Sequence, residues 1–248
     1  PAWTVIRQLE QLFTIEIIES FEEDSLGPED LLLLIHPQGF TEEQLFWIDQ
    51  HVMQGGKLIV FVDPLAEMAS ALGGAMSPPS ASDLNELTQQ WGVTLRSGEV
   101  LGDAEAALMV SGGNGVPVRH LGILGFSSSH LSGDDIVTAP LESINMATTG
   151  IFDVDAVEGV TAIPLITSSV YAGSLPTIQF QFLNDPEELQ KGFSPTGQQY
   201  TIAVRLSGNA KSAFPKGILG VEQEVVLSTS ELQVVLVADT DLLADRLW

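Results

Sequence analysis

Apolar positions along this chain switch between helical and strand spacing, and the switches mark out its elements. Val5, Ile6, Leu9, Leu12 and Phe13 recur at helical intervals and predict a helix over residues 3–13. The β-branched run at 14–18 predicts a strand, and Leu26-Gly27-Pro28 a turn. Residues 31–35 are apolar without alternation, which predicts a strand buried on both faces, as in a parallel sheet. Thr41 stands three residues before Gln44, a capping box for a helix whose Leu45, Ile48 and Val52 share one face. Gly55-Gly56 stops that helix, and Lys57 opens a second buried strand over 58–62 that ends at Asp63-Pro64. Strand, helix and strand in this order predict a right-handed βαβ crossover.

Beyond Pro64, helical spacing of Leu65, Met68, Ala69 and Leu72 gives way to Gly73-Gly74 and the link Ser77-Pro78-Pro79-Ser80. A further helix is expected over 82–91, with Leu84, Leu87 and Trp91 on one side, Gly92 as its stop, and a short strand at 93–95. From about Gly112 the texture changes. Short apolar runs at 118–124, 136–137, 162–166, 177–182 and 201–206 alternate with Gly, Ser, Pro and Asp turns, the pattern of a β-rich portion. Residues 232–238 read as a buried strand that rejoins the core sheet, followed by Asp239-Thr240-Asp241 and the start of a helix over 242–248. The expected organisation is an α/β core over 1–111, a β-rich portion over 112–231, and a return to the core over 232–248.

Composition narrows the function classes. With 44% hydrophobic and 17% charged residues among 248, the chain is that of a folded protein. Its net charge of −24 repels phosphate backbones and anionic headgroups, so a nucleic acid partner is not expected. Such charge serves solubility; the sharper alternative is an acidic face for a basic partner or for cations. The one tight cluster, Glu22-Glu23-Asp24, reads as solvated loop. Cysteine is absent, which rules out disulfides and thiolate chemistry and leaves the compartment open. No stretch approaches the roughly 20 apolar residues of a membrane span. Opening at Pro1 and stopping at Trp248 inside a helical pattern is expected of a piece of a longer protein.

Catalytic signatures are approached and missed. Gly56-Lys57 would close a phosphate loop, but His51 stands at the first glycine position and Leu58 follows the lysine. Gly113-Asn114-Gly115 lacks the third glycine of a dinucleotide fingerprint and meets Pro117, so it reads as a turn. Gly125-Phe126-Ser127-Ser128-Ser129 lacks the second glycine of a nucleophile elbow and reads as a serine-rich loop near His130. His36, His51, His120 and His130 show no zinc-ligand spacing, and neither a metal nor a cofactor is expected. Asp63 and Asp239 each end a buried strand, where open α/β sheets bind ligands, and Asp241 lies two residues further on. If the strands are neighbours, these three acids share a crevice for a cation or polar ligand. The plainer reading is that Asp63 and Asp239 cap the helices that follow.

Pro37, Thr41-Glu42-Glu43, Gly55-Gly56-Lys57 and Asp63-Pro64 together resemble the core motif of the gliding-motility-type ABC transporter auxiliary family. Similar segments continue in the same order at 87–102, at 158–168 with Pro164-Leu165-Ile166-Thr167-Ser168, at 200–215 ending in Lys211-Ser212-Ala213-Phe214-Pro215, and at 234–246. The resemblance implies a flavodoxin-like or amidotransferase-like layered parallel sheet. It also implies a non-enzymatic extracytoplasmic domain on the periplasmic side of the inner membrane, anchored by segments outside these residues. Its implied partners are an ABC permease and its ATPase, with association between copies left open. The rival readings are a periplasmic receptor for a polar or sugar-like ligand, and a hydrolase of amidotransferase-like fold.

Overall fold

The structure is a computed structural model and describes residues 4–18, 26–27, 30–67, 81–113 and 115–247. Helix α1 (Thr4–Leu9) is short and is tied to the far end of the chain, where the Thr4 amide and hydroxyl donate to the Asp245 carboxylate at 3.3 and 2.9 Å. Strand β1 (Leu31–Ile35), helix α2 (Glu42–Met53) and strand β2 (Lys57–Phe61) follow as expected, with β1 and β2 parallel and Leu31 opposite Lys57. The capping box forms: Thr41 Oγ1 accepts from the Gln44 amide while the Gln44 side chain accepts from the Thr41 amide. Gly55 takes the left-handed conformation (φ 93°) that ends the helix. Gly56 serves a different purpose. The His51 imidazole lies so close that a β-carbon at Gly56 would stand 2.2 Å from its Cε1.

The chain then builds β3 (Val93–Leu95), β4 (Glu99–Asp103), β5 (Ala107–Ser111), β6 (Pro117–Ser127), β7 (Ser143–Ala147), β8 (Phe152–Val154), β9 (Val160–Thr167), β10 (Ala172–Pro176), β11 (Thr201–Lys211) and β12 (Ser228–Val237). Strand β12 inserts beside β2, parallel to it, with Val234 opposite Leu58. Its other neighbour, β11, is antiparallel and pairs in turn with β9 and, at Thr201, with β8. The seven-stranded sheet runs β1-β2-β12-β11-β8-β3 with β9 beside β11, so it is a mixed sheet and the protein a mixed α/β fold. Parallel pairing is confined to β1, β2 and β12. Strands β5-β6-β7 form a separate antiparallel meander, and β4 pairs with β10.

Alternation along β12 explains how one sheet serves two cores. Leu232, Val234 and Leu236 join Phe46, Ile48, Val52, Leu58 and Val60 beneath α2. Val235 and Val237 turn to the other side, against Leu124, Phe126, Met146 and Ile202. At the sheet's edge this double burial fails. In β1, Leu32 and Leu34 are buried but Leu31 is half exposed.

Several expected elements differ. Residues 14–18 form no strand, and Ile17 is 81% exposed, because β-branched residues favour a strand only where a neighbouring strand supplies a pairing edge. Residues 136–137 lie in a turn, and Thr177–Gln181 is a helical turn opened by Pro176. The helix expected over 82–91 is limited to Asn85–Thr88 and the 3-10 turn Gln89–Trp91, and the C-terminal helix is replaced by the 3-10 turns Asp241–Leu243 and Asp245–Leu247. The Glu22-Glu23-Asp24 cluster, Pro28, residues 68–72, the Ser77-Pro78-Pro79-Ser80 link, Asn114 and Trp248 lie outside the described residues. No helix among the described residues is long and apolar enough to cross a membrane.

Candidate functional site

Because β2 and β12 are parallel neighbours, the residues just past their carboxyl ends meet. Asp63, Asp239 and Asp241 come together there, and each is fully buried. Their oxygens are occupied. Asp63 Oδ1 accepts from the Leu65 amide at 2.8 Å, and its Oδ2 from the amide and hydroxyl of Thr240 at 2.9 and 2.7 Å. Asp239 accepts from the Leu242 amide and, across the fold, from the Ala147 amide, both at 2.8 Å. Asp241 Oδ2 accepts from the Glu67 amide at 3.1 Å and the Thr148 hydroxyl at 3.4 Å, with Arg246 Nη2 at 3.7 Å. The bonds to Leu65 and Leu242 are the capping of following turns that sequence position suggests.

What the sequence gives no sign of is the cover. The segment after β7 lies across the strand ends, where Thr149 Oγ1 and the Gly150 amide both donate to Ala238 O, at 2.9 and 2.6 Å. Thr148 adopts φ 50°, a conformation that costs a β-branched residue on the order of 1–3 kcal/mol and is held here by surrounding contacts. Gly150 permits the approach, since a β-carbon there would meet Pro64 Cδ at 3.0 Å and Leu95 Cδ1 at 2.7 Å. On the other side, the Asp63 amide donates to Ser82 Oγ at 2.9 Å, and that hydroxyl contacts His36 Nδ1 at 2.8 Å. His36 is the other non-glycine residue with positive φ among the described residues, at 54°. Both strained residues thus border the carboxyl ends of the parallel strands.

Burial dominates the electrostatics. It raises Asp63 from 3.8 to about 7, with the charge of Asp241 adding to the effect, and lifts Asp239 well above the usual carboxylate range, reinforced by Asp63 and Asp241. Arg246 Nη2, which pairs with Glu67 at 2.8 Å, stands 3.7 Å from Asp241 Oδ2. Burial thus favours the protonated forms of Asp63 and Asp239. Among the described residues, no group of three or more His, Asp or Glu side chains is arranged to hold a metal ion.

Other sequence candidates are placed as follows. Ser127 and Ser129 each lie 3.3 Å from His130 Nδ1, and His130 Nε2 is 3.8 Å from Glu105, beyond hydrogen-bond length. Ser127, Ser128 and Ser129 are exposed while the His130 side chain is only 9% exposed, and Ser128–His130 form a local 3-10 turn. Three buried acids, Asp49, Asp103 and Asp135, escaped sequence reasoning. Asp49 on α2 accepts from Ser212 Oγ at 2.6 Å and the Ala213 amide at 2.9 Å, which docks Lys211-Ser212-Ala213-Phe214-Pro215 onto the helix. Asp103 accepts from the Ser169 amide and hydroxyl, both at 2.7 Å.

A family sequence model covers the chain that carries these features. Described as an ABC-type uncharacterized transport system, it matches residues 1–248. The chain belongs to that family and is thereby an auxiliary component of an ABC-type transport system. No curated protein matches the chain.

Proposed function

We propose that this chain is a non-catalytic, extracytoplasmic domain that docks other components of its transport system, the permease and its ATPase complex foremost, while segments outside these residues anchor it on the periplasmic side of the inner membrane. The observation that carries the reading is an apolar tip held rigidly into solvent. Ile136 is 87% and Val137 51% exposed, yet their loop is pinned at Asp135, whose carboxylate takes two bonds from Arg205 at 2.6 and 2.9 Å. The Val137 amide bonds Asp135 Oδ1 at 2.9 Å, and Thr138 Oγ1 bonds Ser132 O at 2.8 Å. An ordered apolar protrusion on a surface of net charge −24 suits a partner with an apolar socket and a basic rim. The carboxylate cluster supports the same reading. Its carboxylates accept from backbone amides and from the hydroxyls of Thr240 and Thr148, so Asp63, Asp239 and Asp241 act as a latch that stiffens the platform.

Co-purification of the full-length protein with its permease and ATPase tests this. Ile136→Asp with Val137→Asp abolishes recovery of the partners while the melting temperature of the domain stays at the wild-type value. Undiminished recovery overturns the reading. The receptor alternative draws on a different place, the pocket beside Arg119.

A further inference from the structure

Thirty-three acidic residues surround nine basic ones, so an arginine here normally finds a carboxylate. Of the five arginines, Arg96 pairs with Asp153, Arg205 with Asp135 and Arg246 with Glu67, while Arg7 donates to Thr4 Oγ1 at 2.9 Å. Arg119 on β6 forms no ion pair among the described residues. Its Nη1 donates to Ala107 O at 2.9 Å, which orients the guanidinium and leaves its other donors available.

Arg119 also lines a pocket of about 170 Å³, together with Ala104, Leu121, Gln190 and Phe193. Its walls are built rather than incidental. Leu121 is buried, two residues along the strand from Arg119. Across from it, the turn Pro186–Gln190 is fastened to β6 by Gln190 Nε2 donating to Arg119 O at 3.1 Å. The Phe193 ring packs onto bare backbone at Gly102, where a β-carbon would come within 2.9 Å of Cε2.

We propose that this pocket binds a small carboxylate bearing one apolar group: the guanidinium takes the anionic oxygens, and Leu121 and Phe193 take the apolar group. A planar fork of N–H donors matches a carboxylate in two-point geometry. The cavity is smaller than the ~300–1,000 Å³ usual for drug-sized ligands, which restricts the occupant to about one side chain and its carboxylate. A net charge of −24 repels anions at a distance, so selection falls on the local cation and the apolar contact. The same chemistry is presented by a free N-acyl amino acid and by the last residue of a peptide. The proposal does not rest on the docking reading.

Titration at low ionic strength, followed by amide chemical shifts, tests it with N-acetyl-leucine, N-acetyl-leucinamide and a short peptide ending in leucine with a free carboxylate. The acid is expected to bind saturably and to move the resonances of Leu121, Gln190 and Phe193. The amide binds at least about ten-fold more weakly, as does the acid to Arg119→Gln. Tighter binding of the peptide identifies a chain terminus as the source, and equal or weaker binding identifies the free acid. The comparison of acid with amide uses the wild-type protein alone, so it holds even where a variant folds poorly. Absence of saturable shifts at those residues, or equal affinity for acid and amide, overturns the proposal.

Discussion

Asp63 and Thr240, which follow neighbouring parallel strands, are joined twice: the Asp63 carboxylate accepts from the Thr240 amide at 2.9 Å and from its hydroxyl at 2.7 Å. With Asp239 reaching the Ala147 amide, these bonds tie the ends of β2, β12 and β7 into one unit. The place where an open α/β sheet would offer a crevice is thereby filled from within. The docking role proposed above calls for such rigidity, because any slack at the centre is passed on to the loops.

Protonation should govern that unit. The Asp63 carboxyl titrates near 7 in the folded protein against 3.8 unfolded, so it retains a proton in the native state across that window. A group raised in this way contributes stability that is complete below the unfolded value and is lost as pH rises through the folded one. Asp239, also raised, acts in the same direction. Asp135, held low by its bonds to Arg205, acts oppositely and loses its contribution as pH falls. His36, His51 and His120, held by burial below the usual 6.5, act oppositely in the same window, so urea denaturation is read as wild type against Asp63→Asn, and the wild type should lose up to a few kcal/mol more than the variant between about pH 5 and about pH 8. A slope equal to wild type in that variant would remove Asp63 as the source of the loss.

Asp49 offers a test of a single buried acceptor. Its carboxylate receives Ser212 Oγ, the Ala213 amide and Gln50 Nε2 within 3.0 Å. Asp49→Ala strands these donors in a closed interior and should cost about 3 kcal/mol, whereas Ser212→Ala, which leaves the acid its other partners, should cost about 1 kcal/mol. Equilibrium denaturation of the two variants measures the ratio. Equal losses would mean the Lys211–Pro215 region is held by Phe214, stacked edge-on against Phe46 at 5.8 Å, and not by the acid.

The imidazole lodged against Gly56 makes a second local prediction. Gly56→Ala brings a β-carbon to within 2.2–2.5 Å of three His51 ring atoms and should destabilise by about 1–3 kcal/mol. Because the clash is with one ring, His51→Ala should remove most of the added penalty in the double variant. A coupling near zero in the double-mutant cycle would place the strain in the backbone instead.

These contacts also show why some features could be read from sequence and others could not. The capping box at Thr41 and Gln44, the stop at Gly55 and the apolar run of β2 are local, so their residue types announce them. The meeting of Asp63 and Asp239 needed one further assumption, that β2 and β12 are neighbours, and the structure supplies it. Thr148, Asp49 and Asp103 gave no signal, since each acts through partners far away in sequence: Leu65, Ser212 and Ser169. Residues 14–18 failed for the complementary reason, having strand propensity but no strand beside them.

The loop carrying Ile136 should loosen when its anchor is removed, with little effect on global stability. Asp135 is buried while the Arg205 side chain is 30% exposed, so solvent screens part of their attraction. Arg205→Gln keeps some hydrogen bonding and much of the aliphatic stem, and the variant should lose only about 1 kcal/mol in denaturation. Locally the change is larger. Freed from Arg205, the Asp135 carboxylate can turn to solvent, and the Val137 amide then loses the acceptor that it holds at 2.9 Å. The Thr138 and Ala139 amides, both bonded to Asp135 O, should follow. Hydrogen exchange at these three amides should quicken at least about ten-fold, while amides of β11 and β12 keep their wild-type protection. If exchange quickens throughout both strands as well, Arg205 supports the sheet and not the tip, and Ile136 would lose its claim to a preformed docking position.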